Sequence, residues 1–369
     1  MAKIEEEYLN ACGVKSMAYF RFIDDILIIW SAKERPSSSP HCDTERGAGL
    51  SQTDRVAFRN NKTMITEVIL LGFQCSEVLG ILLFILVFVI YICTLCGNLL
   101  IITLVFYSKT LHTPMYFFIT QLAISDIMLT SDIAPNVLYM MHSKAWTMSF
   151  TSCVFQEYIF AVTECSECLL LTVMSYDRYL AICNPLHYTS VMNTLLCMGL
   201  SIISWLLSIF LVMIVTIKMA SLNFCGPNII DHFYCDALPL ISLSCSDIST
   251  LQIEMLLVSI AVLFLPFFLI IISYSYVITT IIKIPSTIDK QKAFSTCSSH
   301  LIVVSLFYVT LICTYGLPTQ GQFLSLNKLL SLLYTVGTPL INPMIYSLRN
   351  KDIKIAFEKI IMKIKNLYE

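Results

Sequence analysis

The stretch VLGILLFILVFVIYICTLCGNLLIITLVF, residues 78–106, carries no acidic or basic side chain. A bilayer core about 30 Å thick is crossed by roughly 20 apolar helical residues, and within lipid only helices or closed barrels satisfy every backbone polar group. Barrel strands alternate apolar and polar side chains over about 10 residues. This run is continuous and much longer, so it reads as a membrane-spanning helix. Six more follow, near 115–140, 153–180, 194–218, 251–282, 293–316 and 324–348. The composition agrees with them. Of 369 residues, 57% are hydrophobic and 13% charged, with a mean hydropathy of +0.76, against roughly 45–50% and about 25% in soluble domains. Such a chain has too few polar groups to clothe the surface of a soluble enzyme. Its net charge of −2 offers no basic field to a nucleic acid. No 20–50-residue repeat is visible, which argues against a solenoid or a duplicated transporter. The predicted fold class is an all-α bundle of seven membrane-spanning helices.

Orientation follows from Lys and Arg in the short loops. One set of loops and the C-terminal segment hold Lys109, Arg178, Lys283, Lys290, Lys292, Arg349, Lys351, Lys354, Lys359, Lys363 and Lys365; the opposite set holds Lys144, Lys218 and Lys328. The first set is predicted to be cytoplasmic, with the N-terminus outside. Beyond Arg349, Ile353, Ala356, Phe357, Ile360, Ile361 and Ile364 form an apolar stripe of helical period among lysines. Residues 349–369 therefore read as an amphipathic helix lying on the cytoplasmic leaflet. A helix packed in a soluble domain is the alternative.

Five segments carry a resemblance. Gly97-Asn98 lies in the first span, Pro114-Met115-Tyr116-Phe117-Phe118 opens the second, and MSYDRYLAIC (174–183) ends the third. KAFSTCSSH (292–300) starts the sixth, and PLINPMIYSLRN (339–350) closes the seventh. In order and spacing these resemble the vertebrate odorant receptors, a branch of the rhodopsin-like G-protein-coupled receptors. The resemblance covers about residues 60–365.

An isolated charge at membrane depth is expensive, so Arg178 is expected to pair with Asp177, beside Tyr179. The resemblance implies that activation frees this arginine as the sixth helix swings outward, opening a cleft for a G protein. In Asn342-Pro343-Met344-Ile345-Tyr346, the proline removes a backbone hydrogen bond and makes a bendable point, while Tyr346 is suited to exchanging polar partners. Asp126, Glu164 and Glu167 are acids inside apolar spans, a setting that marks function by default. By resemblance, Asp126 helps hold an ion or water network between helices two, three and seven. Glu167, the third-span glutamate of the family, completes it with Asn98 and Asn342. Glu164 lies one turn from Glu167 on the same face and matches no family motif; it either faces the ligand and favours a basic one, or is held neutral or hydrogen-bonded to a neighbouring span. The ligand cavity is expected among spans three, five, six and seven, binding through apolar contact and one or two hydrogen bonds. Helical spacing from Arg178 turns Phe160, Ala161, Glu164 and Cys165 inward. On the sixth span Tyr308 matches the family's aromatic at the helix bend, with Leu311 and Tyr315 on its face. Interhelical packing is the plainer role for each.

Cys153 opens the third span, and Cys225, Cys235 and Cys245 lie in the long loop after the fourth. Four cysteines allow three pairings, and spacing does not choose among them. The resemblance implies Cys153–Cys235 and Cys225–Cys245. Cysteines within spans read as small packing residues. No Cys/His spacing has the form of a zinc site, although His232 beside Asp231 would offer ligands were the loop cysteines reduced. No metal or other cofactor is expected.

Residues 58–77 read as an outer tail with a glycosylation acceptor at Asn61 and the phrase TEVILLGF (66–73), both familiar in odorant receptors. Residues 1–57 read as an extension foreign to that pattern. Within it, YFRFIDDILIIW (19–30) resembles the aromatic-x-Asp-Asp hairpin of retroelement reverse transcriptases, without the rest of a polymerase palm. Its apolar run is too short and too charged to span, and it lacks the marks of a secretory signal. Residues 31–54 read as a disordered linker. The expected function is that of an odorant receptor, not an enzyme. It takes a small, mostly apolar ligand within residues 78–348 and activates a stimulatory-type heterotrimeric G protein, raising cyclic AMP. Its partners are odorant, G protein and membrane lipids, and its place is the plasma membrane of olfactory cilia. The alternatives are a transporter or channel, which would need charged pairs along a path or broken repeated helices, and a non-functional fused product.

Overall fold

A computed structural model describes residues 65–73, 76–143, 145–224, 228–315, 324–349 and 351–368. The extension 1–57, with its polymerase-like hairpin, the Asn61 acceptor and Cys225 lie outside the described residues. Seven long helices are apolar enough to cross a bilayer: Glu77–Tyr107, Pro114–Ser143, Phe150–Cys183, Thr194–Ala220, Ser249–Lys283, Thr287–Tyr315 and Leu326–Ser347. They are called here the first to seventh helices. Each covers its predicted span to within a few residues, except that the sixth begins well before residue 293. Its extra turns are polar, started by Ser286, whose Oγ accepts from the Asp289 N–H at 3.3 Å. Hydropathy reads only the apolar part of a helix that continues past the membrane.

The composition of each helix decides its place. The first and fifth, apolar on nearly every side, are the least enclosed; the second and third, which carry most of the polar residues, are central. Gln156, Glu157, Thr163, Ser166, Glu167, Ser175, Asp177 and Arg178 are all buried along the third helix. Two helices contain a π-helical turn. In the fifth it spans Ile260–Phe264, just before Pro266, where the Leu265 N–H reaches back to the Ile260 carbonyl. In the seventh it spans Leu333–Gly337, just before Pro339, with the Thr338 N–H on the Leu333 carbonyl. A ring without an N–H cannot continue the regular ladder, and a wide turn absorbs the mismatch.

At the end of the bundle that holds Cys153, three short strands form a cover. Strand β1 (Glu67–Leu70) lies between β2 (Trp146–Ser149), antiparallel with Val68 opposite Met148, and β3 (Ile229–Ile230), parallel with Ile69 opposite Ile229. Val68 and Leu70, two apart, point down and are fully buried. The phrase TEVILLGF is thus a strand that closes one end of the bundle. Gly72, just beyond it, has φ +45° and lies against Met140, a backbone conformation glycine adopts without strain. At the Arg178 end, helix Lys351–Tyr368 follows the seventh. It buries Ile353 and Ala356 and leaves Phe357, Ile361 and Met362 exposed, the arrangement of a helix with one face on protein and one available to lipid. Tyr116 Oη donates to Asp352 Oδ2 at 3.1 Å and ties this helix to the second.

Candidate functional site

Buried polar side chains run the length of the bundle in three groups. At one end, Asp177 is fully buried and Arg178 nearly so. The arginine is held by Asp177 Oδ2, through Nε at 2.9 Å and through Nη2. The other carboxylate oxygen accepts from Tyr188 Oη at 2.8 Å. Tyr188 lies on the short helix Pro185–Val191 between the third and fourth spans, and burial, with the Asp177 charge adding to it, pushes its phenol above its ordinary range. Nearby, Tyr274 Oη and His300 Nδ1 are 2.6 Å apart and join the fifth helix to the sixth. Tyr188, Tyr274 and His300 were not picked out by the sequence reading, although His300 closes the KAFSTCSSH string. Tyr179 packs edge-on against Tyr276 of the fifth helix.

The middle group joins the first, second, third and seventh helices. Pro343 has no N–H, which leaves the Pro339 carbonyl without its helical partner. Asn98 Nδ2 donates to that carbonyl at 3.2 Å. Gly97, beside it, lets the Pro343 ring approach to 3.4 Å of where a Cβ would stand. Asn342 Nδ2 donates to Asp126 Oδ1 at 3.0 Å, and Glu167 lies close enough to Asp126 for their charges to interact. Asn98 bonds to backbone rather than to either acid. Four further oxygens here are buried without a hydrogen-bond partner: Asp126 Oδ2, Glu167 Oε1, Asn342 Oδ1 and Tyr346 Oη. Acceptors so placed suit water or a small cation between the helices.

The third group lies below the strand cover. The disulfide Cys153–Cys235 draws the long loop across the bundle, and Cys245 is disulfide-bonded as well. Gln156 fixes the crossing by accepting from the Cys235 N–H at 3.0 Å while donating to the Asp132 carbonyl at 3.0 Å. Phe160 is buried with its ring 5.0 Å from that of Tyr234 in the loop. Tyr234 and Glu164 stand near each other and near Tyr315 and Asp236. Ala161, Glu164 and Cys165 are half-buried on one face of the third helix, and Glu164 Oε1 has no partner. Tyr308 is buried 4.7 Å from Phe267, ring to ring, and beside Cys168; Leu311 is buried one turn on. Burial pushes Asp236 up to about 6. It pushes His232 down to about 3, with the Lys328 ammonium adding to the effect. Lys328 donates to Asp231 Oδ1 at 2.5 Å and to the Gly72 carbonyl at 2.8 Å. Among the described residues, no group of three or more His, Cys, Asp or Glu is placed to hold a metal.

Tyr234 and Asp236 were missed by the sequence reading, though both flank a cysteine whose bridge brings them over the bundle. Asp132 and Glu157 were missed too, and the rule that marks acids within apolar spans applies to them as much as to Glu164. Glu157 is buried and accepts from Thr216 Oγ1 at 3.3 Å.

A seven-helix bundle with a buried Asp-Arg pair, a proline-broken seventh helix and a loop bridged to the third defines a receptor of the rhodopsin type. Squid rhodopsin superposes with a TM-score of 0.63 at 18% identity, covering 79% of this chain and 88% of that one; that likeness speaks for the fold. A family model described as "Olfactory receptor" matches residues 87–364. "Olfactory receptor 10A7" of Homo sapiens is 44% identical over 301 residues, covering 82% of this chain and 95% of its own length. "Olfactory receptor 1E16" of Mus musculus is 43% identical over 305 residues, covering 83% and 97%. The chain belongs to the olfactory receptor family. It is an odorant-sensing G-protein-coupled receptor of the plasma membrane, crossing it several times, in a family of receptors rather than enzymes.

Proposed function

We propose that an odorant bound among Phe160, Ala161, Glu164, Cys165, Tyr308, Leu311 and Tyr315 shifts the bundle toward a state that activates a stimulatory-type G protein and raises cyclic AMP. The observation that carries this reading is the buried pair Asp177–Arg178 with Tyr188. An arginine held by one carboxylate, which is itself held by a tyrosine from a neighbouring loop, is in this reading the first of two arrangements of a switch. Exchange of Arg178 from Asp177 to a G-protein backbone carbonyl would supply the second. The ligand acts only through its different affinity for the two states. Its signal passes along the third helix and through Asp126, Glu167, Asn98 and Asn342 to the seventh, where Pro343 weakens the ladder and Tyr346 has an oxygen free to change partners. The unpartnered Glu164 oxygen favours an odorant with a hydrogen-bond donor, a basic nitrogen above all, on an otherwise apolar body. In this reading the Cys153 end and the Asn61 acceptor face outward, in cilia, and the Lys-rich end meets the cytoplasm. The second disulfide is Cys225–Cys245.

The test is cyclic-AMP production in cells displaying the chain, challenged with amines and with alcohols of matched carbon skeleton. Surface staining confirms export. A ligand-dependent rise that Arg178→Ala abolishes at equal surface display is the expected result. A response that survives Arg178→Ala, or that is carried by calcium without cyclic AMP, overturns the coupling proposed.

A further inference from the structure

The second helix carries an acid that none of the three polar groups uses. Asp132 lies between Asp126 and the Cys153 end of the bundle. Its backbone carbonyl accepts from Gln156 Nε2 at 3.0 Å and from Asn136 Nδ2 at 3.4 Å, while its own carboxylate oxygen Oδ2 is buried and meets no donor. Gln156 spends its oxygen on the Cys235 N–H and an N–H on the Asp132 carbonyl, and neither it nor Asn136 donates to Asp132 Oδ2. Among the described residues, none of the ion pairs includes Asp132. Asp132 is one of the residues lining a cavity of about 350 Å³ between the second and third helices. Met148 and Phe155 are its apolar lining residues, and Asn136 and Gln156 line it with amide groups. Thr151, Ser152 and Phe155 are exposed at its mouth.

We propose that this groove is a second ligand site, separate from the Glu164 region, and that it takes a primary ammonium carried on a small apolar body. A buried carboxyl oxygen without a donor is costly in a medium of low polarity. An ammonium supplies both the missing donor and the opposite charge, and a charge-assisted hydrogen bond is the stronger kind. The volume lies at the small end of the range of ligand cavities. The walls offer a methionine and one aromatic face to the apolar part, and a cation held near an aromatic face gains further attraction. A neutral alcohol of the same shape brings one hydrogen bond and no charge. The same ammonium chemistry has two sources: a free amine arriving from solution, and the headgroup of phosphatidylethanolamine at the end of the second helix.

The experiment uses the full chain in phosphatidylcholine nanodiscs at neutral pH, with n-hexylamine and n-hexanol as probes and the thermal unfolding midpoint as readout. Hexylamine should raise the midpoint of Glu164→Gln, in which the Glu164 region offers an ammonium no negative charge, and hexanol should not. In that background Asp132→Asn should raise the concentration giving half the effect about tenfold or more, the loss expected for one charge-assisted contact. Thr151→Trp, an exposed rim position that fills the mouth without touching the carboxyl, should show the same loss while unfolding like the wild type without amine. That variant keeps the test intact where Asp132→Asn folds poorly. The proposal is overturned by the absence of any hexylamine effect in Glu164→Gln, or by an effect that both groove variants retain in that background. An effect lost in Glu164→Gln and kept in Thr151→Trp places the amine at Glu164 and overturns it as well. A second arm replaces part of the phosphatidylcholine with phosphatidylethanolamine. A raised midpoint in the wild type alone, with a blunted hexylamine response, identifies the lipid as the source; an unchanged midpoint identifies the free amine.

Discussion

The pair formed by Lys328 and Asp231 permits a sharp test because its two ends stand in different surroundings. The lysine side chain is 7% exposed and the aspartate 43%. Among the described residues, Lys328 Nζ donates to two acceptors, Asp231 Oδ1 at 2.5 Å and the Gly72 carbonyl at 2.8 Å. Exposed ion pairs contribute about 0–1 kcal/mol, whereas breaking a fully buried one costs about 3–5 kcal/mol. Removing the aspartate strands an enclosed ammonium on a single carbonyl. Because water reaches the aspartate side, the cost is discounted to about 2 kcal/mol. Removing the lysine leaves a half-exposed carboxylate that water rehydrates, and one orphaned carbonyl, at about 1 kcal/mol. Asp231→Ala should therefore lower the unfolding midpoint by about 4 °C and Lys328→Met by about 2 °C, at roughly 2 °C per kcal/mol for a chain of this size. The double variant should resemble Lys328→Met, since it buries no unpaired charge. Thermal unfolding in nanodiscs, followed with a thiol-reactive dye, measures all three. A Lys328→Met loss as large as that of Asp231→Ala, or a double variant whose loss is the sum, would refute the reasoning.

Two loop residues give opposing pH dependences. His232, held near 3 in the fold against 6.5 in an unfolded chain, contributes stability that is lost as pH falls from 6.5 toward 3. Asp236, raised to about 6 from 3.8, contributes stability present below 3.8 and lost as pH rises through 6. The wild type should unfold at nearly constant temperature between pH 6 and 4, and Asp236→Asn should lose stability steadily on acidification across that window; a flat profile for the variant would reject the assignment. Asp177→Asn should raise ligand-independent cyclic AMP several-fold, and Tyr188→Phe by less, because each loosens the hold on Arg178; basal signalling unchanged in both would remove the pair from the switch. Gly97→Ala should be tolerated, since its Cβ meets the Pro343 ring at ordinary contact distance. Gly97→Val should cost about 1–3 kcal/mol by wedging the first and seventh helices apart, read as a lower midpoint and reduced surface display.

The number of spans, their approximate limits and their order are properties of local composition. Twenty apolar residues in a row have one means of satisfying their backbone in lipid, so residues 78–106 declare a helix without reference to any other part of the chain. The acids within spans are legible in the same way, and Asp132 and Glu157 were there to be read beside Glu164. The strand at Glu67–Leu70 was visible as a phrase but not as a strand, because only Trp146–Ser149 and Ile229–Ile230 give its backbone something to pair with. Asn98 could be marked as polar in an apolar helix. Its partner could not, since the Pro339 carbonyl lies 241 residues away and is free only because Pro343 has no N–H to give it. The same holds for Tyr188 on Asp177, Lys328 on Asp231 and Gln156 between Asp132 and Cys235. Hydropathy is summed along the chain and survives being read in one dimension. Which buried polar atoms find partners is settled only when helices distant in sequence are packed side by side.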